Sequence, residues 1–298
     1  MPSILSADDI IEITGGRLAQ GLVPTQSGHV VTDTRQDAHG AWFLALPGQT
    51  YDGHDFLGDA FSGGAIGCIV EERQHYAIPA EAPFPVIAVP DALIALRDLS
   101  RNWRRRLALK MILVVSAERD RAFALSSYTA KILSSRFPTK LIDLSTAPGN
   151  PLSELIAIDE TTQFVVASMV PPCYDDIIFQ SSALCPNTIL FTDEPFAYMR
   201  LTTSPEDLDN AVKTLLSSMD RRPGLVLACG TASAIVRGFE MPANATFKAY
   251  PGTAFKPHAS SDGDGDESFM PSTEESWCVA EVCKDCGIPD DIIYGAFV

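Results

Sequence analysis

The chain has 298 residues, a hydrophobic content of 46% and 20% charged residues, the proportions of a soluble globular protein long enough for two domains. Its formal net charge of −16 opposes attraction to nucleic acid and to anionic membrane surfaces. It contains no run of about 18 apolar residues, so no membrane-spanning helix is expected. The N-terminus, Met1-Pro2-Ser3-Ile4-Leu5-Ser6-Ala7-Asp8-Asp9, lacks the basic and apolar regions of a secretory signal, and a cytoplasmic location is expected.

The first helix is predicted over Ser6–Ile13, capped by Ser6, with acidic residues in its favourable first turn and Gly15-Gly16 as its stop. Short apolar runs follow at Val30-Val31, Ala41–Leu46, Ile66–Val70 and Val86–Val89, with one helical stretch at Asp55–Phe61. They describe a small α/β domain ending near Pro90. Leu93, Leu96, Leu99, Trp103 and Leu107 then recur at helical spacing. On that helix Arg101, Arg104, Arg105 and Arg106, with Lys110 beyond it, read as a solvated basic face and not as a polyanion site.

A second α/β pattern starts at Met111-Ile112-Leu113-Val114-Val115, a continuous apolar run of the kind a strand buried on both faces needs. A helix is expected over Ala122–Ser135. Phe164–Ala167, Thr188–Phe191 and Gly224–Ala228 are further buried strands, and Leu208–Met219 is a helix between the last two. Strands alternating with helices imply a mostly parallel sheet in a three-layer domain. The expected domains are therefore 1–90 and 91–298. Ser260-Ser261-Asp262-Gly263-Asp264-Gly265-Asp266-Glu267 has the spacing of half a calcium loop, but Thr273 stands where the bidentate glutamate belongs, so an acidic surface loop is expected. The last helix is placed at Glu274–Cys286.

Seven cysteines, an odd count without disulfide-scaffold spacing, point to reduced thiols. Cys283-Lys284-Asp285-Cys286, with Cys278 upstream, lacks the second ligand pair that zinc requires. These are expected to be buried free thiols and no metal site is expected.

The strongest motif series is Asp33-Thr34-Arg35, Phe43-Leu44-Ala45-Leu46-Pro47-Gly48, Tyr51-Asp52-Gly53-His54-Asp55-Phe56 and Gly63-Gly64-Ala65. This order and spacing resembles the N-terminal domain of the Mur ligases, most closely the branch that adds D-alanyl-D-alanine. Ile11–Leu18 resembles the family's opening helix and Gly-Gly turn, and Trp277–Ile293 its last central-domain helix and Gly-Ile-Pro turn. The resemblance implies the family's N-terminal and central domains without its C-terminal domain. It also implies that the first domain holds the UDP end of a UDP-N-acetylmuramoyl-peptide. Thr34 would offer a hydroxyl and Arg35 a fork of donors to phosphate, Ala45 and Leu46 an apolar wall, and Asp52, Gly53 and His54 a polar turn. The alternative for Asp33 and Arg35 is that they pair with each other to fix a turn.

The family's central domain opens with a strand, a phosphate loop and a helix. The loop needs glycines, a lysine and a Thr or Ser on Mg²⁺. Aligned without gaps, Ala117 and Asp120 stand at glycine positions, Arg121 at the lysine and Ala122 at the hydroxyl. Glu118 and Asp120 put carboxylates where nucleotide charge would sit. Ala167 stands where the family has its Mg²⁺-binding glutamate. Lys213 falls near the family's carbamylated lysine, but without other ligands it is vestigial. The expected protein is a Mur-ligase-like pseudoenzyme without cofactor, a regulator or scaffold that binds a nucleotide-sugar. A divergent enzyme, an amide ligase or an activity of specialised metabolism, and a module for a protein partner are the alternatives.

Overall fold

The computed structural model of the chain describes residues 4–48, 51–73, 84–145, 149–170, 174–192, 205–250 and 271–297. The chain divides into two compact units, Met1–Leu107 with Ala147–Thr161, and Ala108–Thr146 with Thr162–Val298. The acidic Asp-Gly stretch at 260–267 lies outside the described residues.

The first unit opens with helix α1 (Ala7–Thr14). The Ser6 hydroxyl accepts the Asp9 N–H and the Asp9 carboxylate accepts the Ser6 N–H, so two otherwise orphaned helix-end donors are satisfied. Gly15 ends the helix with φ +66°, a left-handed conformation that strains residues carrying a Cβ. Strands β1 (Arg17–Gln20), β2 (Val30–Val31), β3 (Trp42–Leu44), β4 (Gly67–Glu71) and β5 (Val86–Val89) form a sheet in the order β1-β5-β4-β3-β2. Strands β2 to β5 are parallel, and β1 pairs antiparallel with β5 at the edge. The sequence reading missed β1, whose Arg17-Leu18-Ala19-Gln20 is exposed or half-buried throughout and carries no apolar run. A 3₁₀ turn (Gly53–Phe56) leads into α2 (Leu57–Ser62), whose Ala60 joins Val31, Phe43, Cys68 and Val86 in the core.

Helix α3 (Ala92–Arg106), capped by Asp91 through the Ile94 N–H, belongs to this first unit, whereas the sequence reading placed it in the second domain. Its neighbour is α5 (Gly149–Ile156). The Ser100 hydroxyl donates to the Leu152 carbonyl at 3.0 Å and the Trp103 indole N–H to the Ile158 carbonyl at 2.7 Å. The basic-face reading also needs correction: Arg104 is 0% exposed, because it sits on the same helical side as Ser100 and Trp103 and is covered with them.

The second unit carries a fully parallel sheet in the order β11-β10-β9-β6-β8-β7. Its elements are β6 (Lys110–Val115), α4 (Arg119–Ser134), β7 (Thr139–Asp143), β8 (Phe164–Met169), α6 (Tyr174–Leu184) and β9 (Thr188–Phe191). They continue with α7 (Pro205–Ser217), β10 (Gly224–Ala228), α8 (Ala232–Val236), β11 (Ala245–Ala249), α9 (Thr273–Asp285) and α10 (Asp290–Gly295). Right-handed crossovers place α4 on one face of the sheet and α6 and α7 on the other. Ile112, Val114, Val166 and Leu225 share the core of the first face with Leu125 of α4 and with Cys278, Val282 and Cys283 of α9. The apolar run at Met111–Val115 is buried throughout, as a strand covered on both sides requires. The expected α/β class, a small mixed domain before a parallel-sheet domain, is what the structure contains. Cys278, Cys283 and Cys286 are buried and unpaired, and burial raises the thiol pKa of Cys286 to about 12, so these thiols behave as small apolar residues.

The chain crosses between the units at 107/108, 146/147 and 161/162, which makes α5 a part of the first unit that sequence truncation would remove. A fragment of residues 1–107 leaves the partners of Ser100 and Trp103 unsupplied, at about 1–3 kcal/mol for each buried polar group. Residues 1–107 joined to 147–161 by a short Gly/Ser linker are expected to unfold cooperatively and several degrees higher than 1–107 alone. Equal midpoints by circular dichroism would show that α5 adds no stability.

Candidate functional site

The expected binding residues of the motif series gather at the carboxyl edge of the parallel strands β2, β3 and β4, the edge where open α/β sheets ordinarily take ligands, whereas Gly63-Gly64-Ala65 lies before β4, at the opposite edge. Thr32 to Arg35 follow β2, Ala45 and Leu46 follow β3, and Glu71 ends β4. The Asp52-Gly53-His54 turn ties two of these loops together. The Gly53 N–H donates to the Leu46 carbonyl at 2.9 Å. A Cβ on Gly53 would stand 2.6 Å from the Leu46 nitrogen, so glycine is required for the approach.

His54 is fixed from both sides. Its Nε2 accepts the Glu71 N–H at 3.2 Å, which leaves the ring proton on Nδ1, donated to Asp52 Oδ1 at 2.6 Å. The imidazole is therefore spent on joining the turn to β4. Asp52 is pushed up by burial, yet the backbone and ring N–H groups of His54 outweigh that and hold it below the ordinary carboxylate value. Glu71, 3% exposed, accepts from Arg73 Nε at 2.6 Å and turns its other oxygen to the Ala92 N–H at the start of α3. A buried carboxylate at a helix start offsets its desolvation against the helix dipole. Sequence reasoning missed Glu71, because nothing in Ile69-Val70-Glu71 distinguishes it from an exposed strand end.

Arg35 is paired with Asp33. Its Nη2 lies 2.5 Å from Asp33 Oδ2, and its side chain is 89% exposed. The Arg35 hydrogen bonds hold Asp33 below its ordinary pKa. Of the two expectations for this arginine, the turn-fixing pair is present, with the guanidinium still open to water at the rim. Thr34 is half-buried between them, Ala45 is buried and Leu46 half-buried. Just before this loop the Thr32 hydroxyl donates to Ser153 of α5 at 2.8 Å.

In the second unit Ala117, Asp120, Arg121 and Ala122 stand between the end of β6 and the first turn of α4. Ala117 and Ala122 are buried and Asp120 is exposed. Arg121 is turned to α9: its Nε lies 2.5 Å from Glu275 Oε1. Glu275 is 1% exposed and also accepts the Ser272 N–H at 2.8 Å, as the third residue of a capping box. Its burial raises the pKa, but the Arg121 and Ser272 hydrogen bonds outweigh it and the carboxyl is held below 4.5. The adjacent Glu274 accepts the Gly230 N–H at 2.6 Å. Arg119 is engaged as well, 3.0 Å from Asp143. A cavity of about 380 Å³ is lined by Arg121, Cys229, Gly230, Ser272, Thr273, Glu274 and Glu275.

Ala167 is buried in β8 and Lys213 is exposed on α7. Among the described residues no group of three or more His, Cys, Asp or Glu side chains converges as a metal site, and no helix is long and apolar enough to cross a membrane. The Arg121–Glu275 pairing was not anticipated. The Ser272-Thr273-Glu274-Glu275 capping box was legible, but a partner 154 positions away was not.

No protein-family model matches the chain. Its fold is nevertheless that of a Mur-ligase-like α/β protein. The MurF crystal structure from Acinetobacter baumannii aligns with a TM-score of 0.75 over 99% of this chain and 68% of that one, at 17% identity. In sequence the similarity also runs to MurF enzymes. The chain is 33% identical over 84 residues to the UDP-N-acetylmuramoyl-tripeptide–D-alanyl-D-alanine ligase of Synechocystis, covering 28% of this chain and 18% of that protein. With the Bacillus subtilis ligase of the same name it shares 24% identity over 230 residues, 74% of this chain and 48% of that protein. The matched regions thus span less than half the length of these curated relatives.

Two outcomes follow from this geometry. Gly53→Ala is expected to lower stability by about 1–3 kcal/mol, since either the turn or the Leu46 strand end must shift. An unchanged urea midpoint would show that the turn adapts freely. Because Glu275 is held below 4.5, its contribution is present above that value and is lost as pH falls through its lower folded-state pKa. Glu275→Gln should therefore flatten the acid limb of the stability profile relative to the parent chain.

Proposed function

We propose that the chain is a Mur-ligase-like pseudoenzyme: its first unit binds a UDP-N-acetylmuramoyl-peptide or a related nucleotide-sugar, and its second unit carries out no ATP-dependent ligation. The observation that carries this reading is the contrast between the two carboxyl edges. At the first, Gly53 and His54 tie their turn to the ends of β3 and β4, and the loop after β2 carries Thr34 and the exposed Arg35, a hydroxyl and a cation for a diphosphate. At the second, the only arginine at the lysine position is neutralised by Glu275, and Glu118 and Asp120 add negative charge beside it.

Ligation through an acyl phosphate needs a preorganised cradle for the transferring phosphoryl group and metal to neutralise it. Ala122 supplies no hydroxyl for Mg²⁺, Ala167 no carboxylate, and the Cβ atoms of Ala117 and Asp120 stand where close backbone approach is needed. A protein of this kind acts by occupancy, as a regulator or scaffold that reports on or presents the bound precursor.

Calorimetric titration tests the reading. UDP-N-acetylmuramoyl-peptide is expected to bind the full chain and Mg-ATP is expected not to. Arg35→Gln should weaken the nucleotide-sugar by about tenfold, the loss of one charge-assisted phosphate contact. Tight Mg-ATP binding with turnover would replace this reading with a divergent ligase. Silence from both ligands would transfer the assignment to a protein-binding module.

A further inference from the structure

The cavity beside Arg121 contains two features that normally receive an anion: a guanidinium and a backbone N–H at the carboxyl edge of a parallel sheet. Both are already used, and both by α9. Glu275 Oε1 is 2.5 Å from Arg121 Nε, and Glu274 Oε2 is 2.6 Å from the Gly230 nitrogen. These two carboxylates come from adjacent residues at the first turn of one helix, while the groups they meet come from α4 and from the loop after β10, the two sides of strand β9. An internal pair of anionic groups thus bridges two elements, as a single multivalent oxyanion would.

The packing favours a displaceable contact and not only a structural one. Glu274 is half-buried, the cavity of about 380 Å³ opens beside it, and Arg121 is 31% exposed on its side chain. Glu275 is the anchored member, held by the Ser272 N–H as well as by Arg121. A pyrophosphate-sized ion fits the volume, and what opposes it is charge: the Glu274 and Glu275 carboxylates in the wall, with Glu118 acting on Arg121 from beside it, against one guanidinium. Like charges at such range repel an incoming anion.

We propose that this cavity is a self-liganded oxyanion site, in which Glu274 and Glu275 of α9 occupy the Gly230 N–H and the Arg121 guanidinium and so exclude a small multivalent oxyanion that those groups would otherwise bind. The site lies in the second unit and its occupancy is independent of the nucleotide-sugar reading of the first.

The test is calorimetric titration of the full chain with sodium pyrophosphate. The parent protein is expected to give no saturable heat. Glu274→Gln/Glu275→Gln, shown folded by circular dichroism, is expected to bind at least about tenfold more tightly than the parent, as removal of two like charges from the site requires. Adding Arg121→Gln to that pair should abolish the gain, which separates this cavity from Arg35 in the first unit. Glu274→Gln alone leaves the Ser272–Glu275 capping box intact, so it remains folded and should gain binding in the same direction. The proposal is overturned if the glutamine variants respond as the parent does, if the parent already binds as tightly, or if the gain survives Arg121→Gln.

Discussion

The ion pair between Arg121 and Glu275 is the contact on which the second unit's character turns. It joins residues 154 positions apart, fixes the first turn of α9 against the first turn of α4, and does so at the sheet edge where a nucleotide-binding protein of this fold would keep its phosphate loop. One partner is 2% exposed on its side chain and the other 31%. A half-buried pair of this kind is costly to break from one side, because the remaining charge loses its partner without regaining full hydration. The capping box at Ser272 holds the glutamate in place before the arginine meets it.

That constraint has a counterpart in the first unit, a hydrogen-bonded chain with a carboxylate at each end. Asp52 orients His54, His54 accepts from the Glu71 backbone, and the Glu71 carboxylate reaches the N-terminus of α3. The Asp52–His54 turn is thereby tied to the end of β4 by hydrogen bonds whose members are mostly consumed in making the tie. The guanidinium of Arg35 remains exposed beside its Asp33 partner, with Thr34 half-buried between them.

Much of this was readable from the chain. The Ser6 cap, the Gly15-Gly16 stop, the helical spacing from Leu93 to Leu107 and the apolar runs at 111–115, 188–191 and 224–228 each rest on interactions between near neighbours or on burial on both faces. The elements found from them are observed within a few residues of their expected ends. Strands β1, β7 and β11 were not found. Each lies toward the edge of its sheet, where one flank faces water and the alternation that marks a strand is diluted. Helix α3 was found, but its allegiance was not. Nothing in Ser100 or Trp103 reveals that the Leu152 and Ile158 carbonyls will accept from them.

At the candidate sites the division is the same. The sequence alone determined the side chains on offer: Ala117, Ala122 and Ala167 carry neither a hydroxyl nor a carboxylate, and Asp120 carries a negative charge, whatever surrounds them. It also determined that Asp33, Arg35, Asp52, Gly53 and His54 would form turns, since Asx and glycine preferences are local. Only the tertiary structure decided that His54 is used up between Asp52 and Glu71, that Arg104 is buried, and that Arg121 answers to Glu275. Those outcomes depend on groups brought within about 3 Å by packing, and hydrogen-bond energy falls away too steeply with distance and angle for sequence position to forecast it.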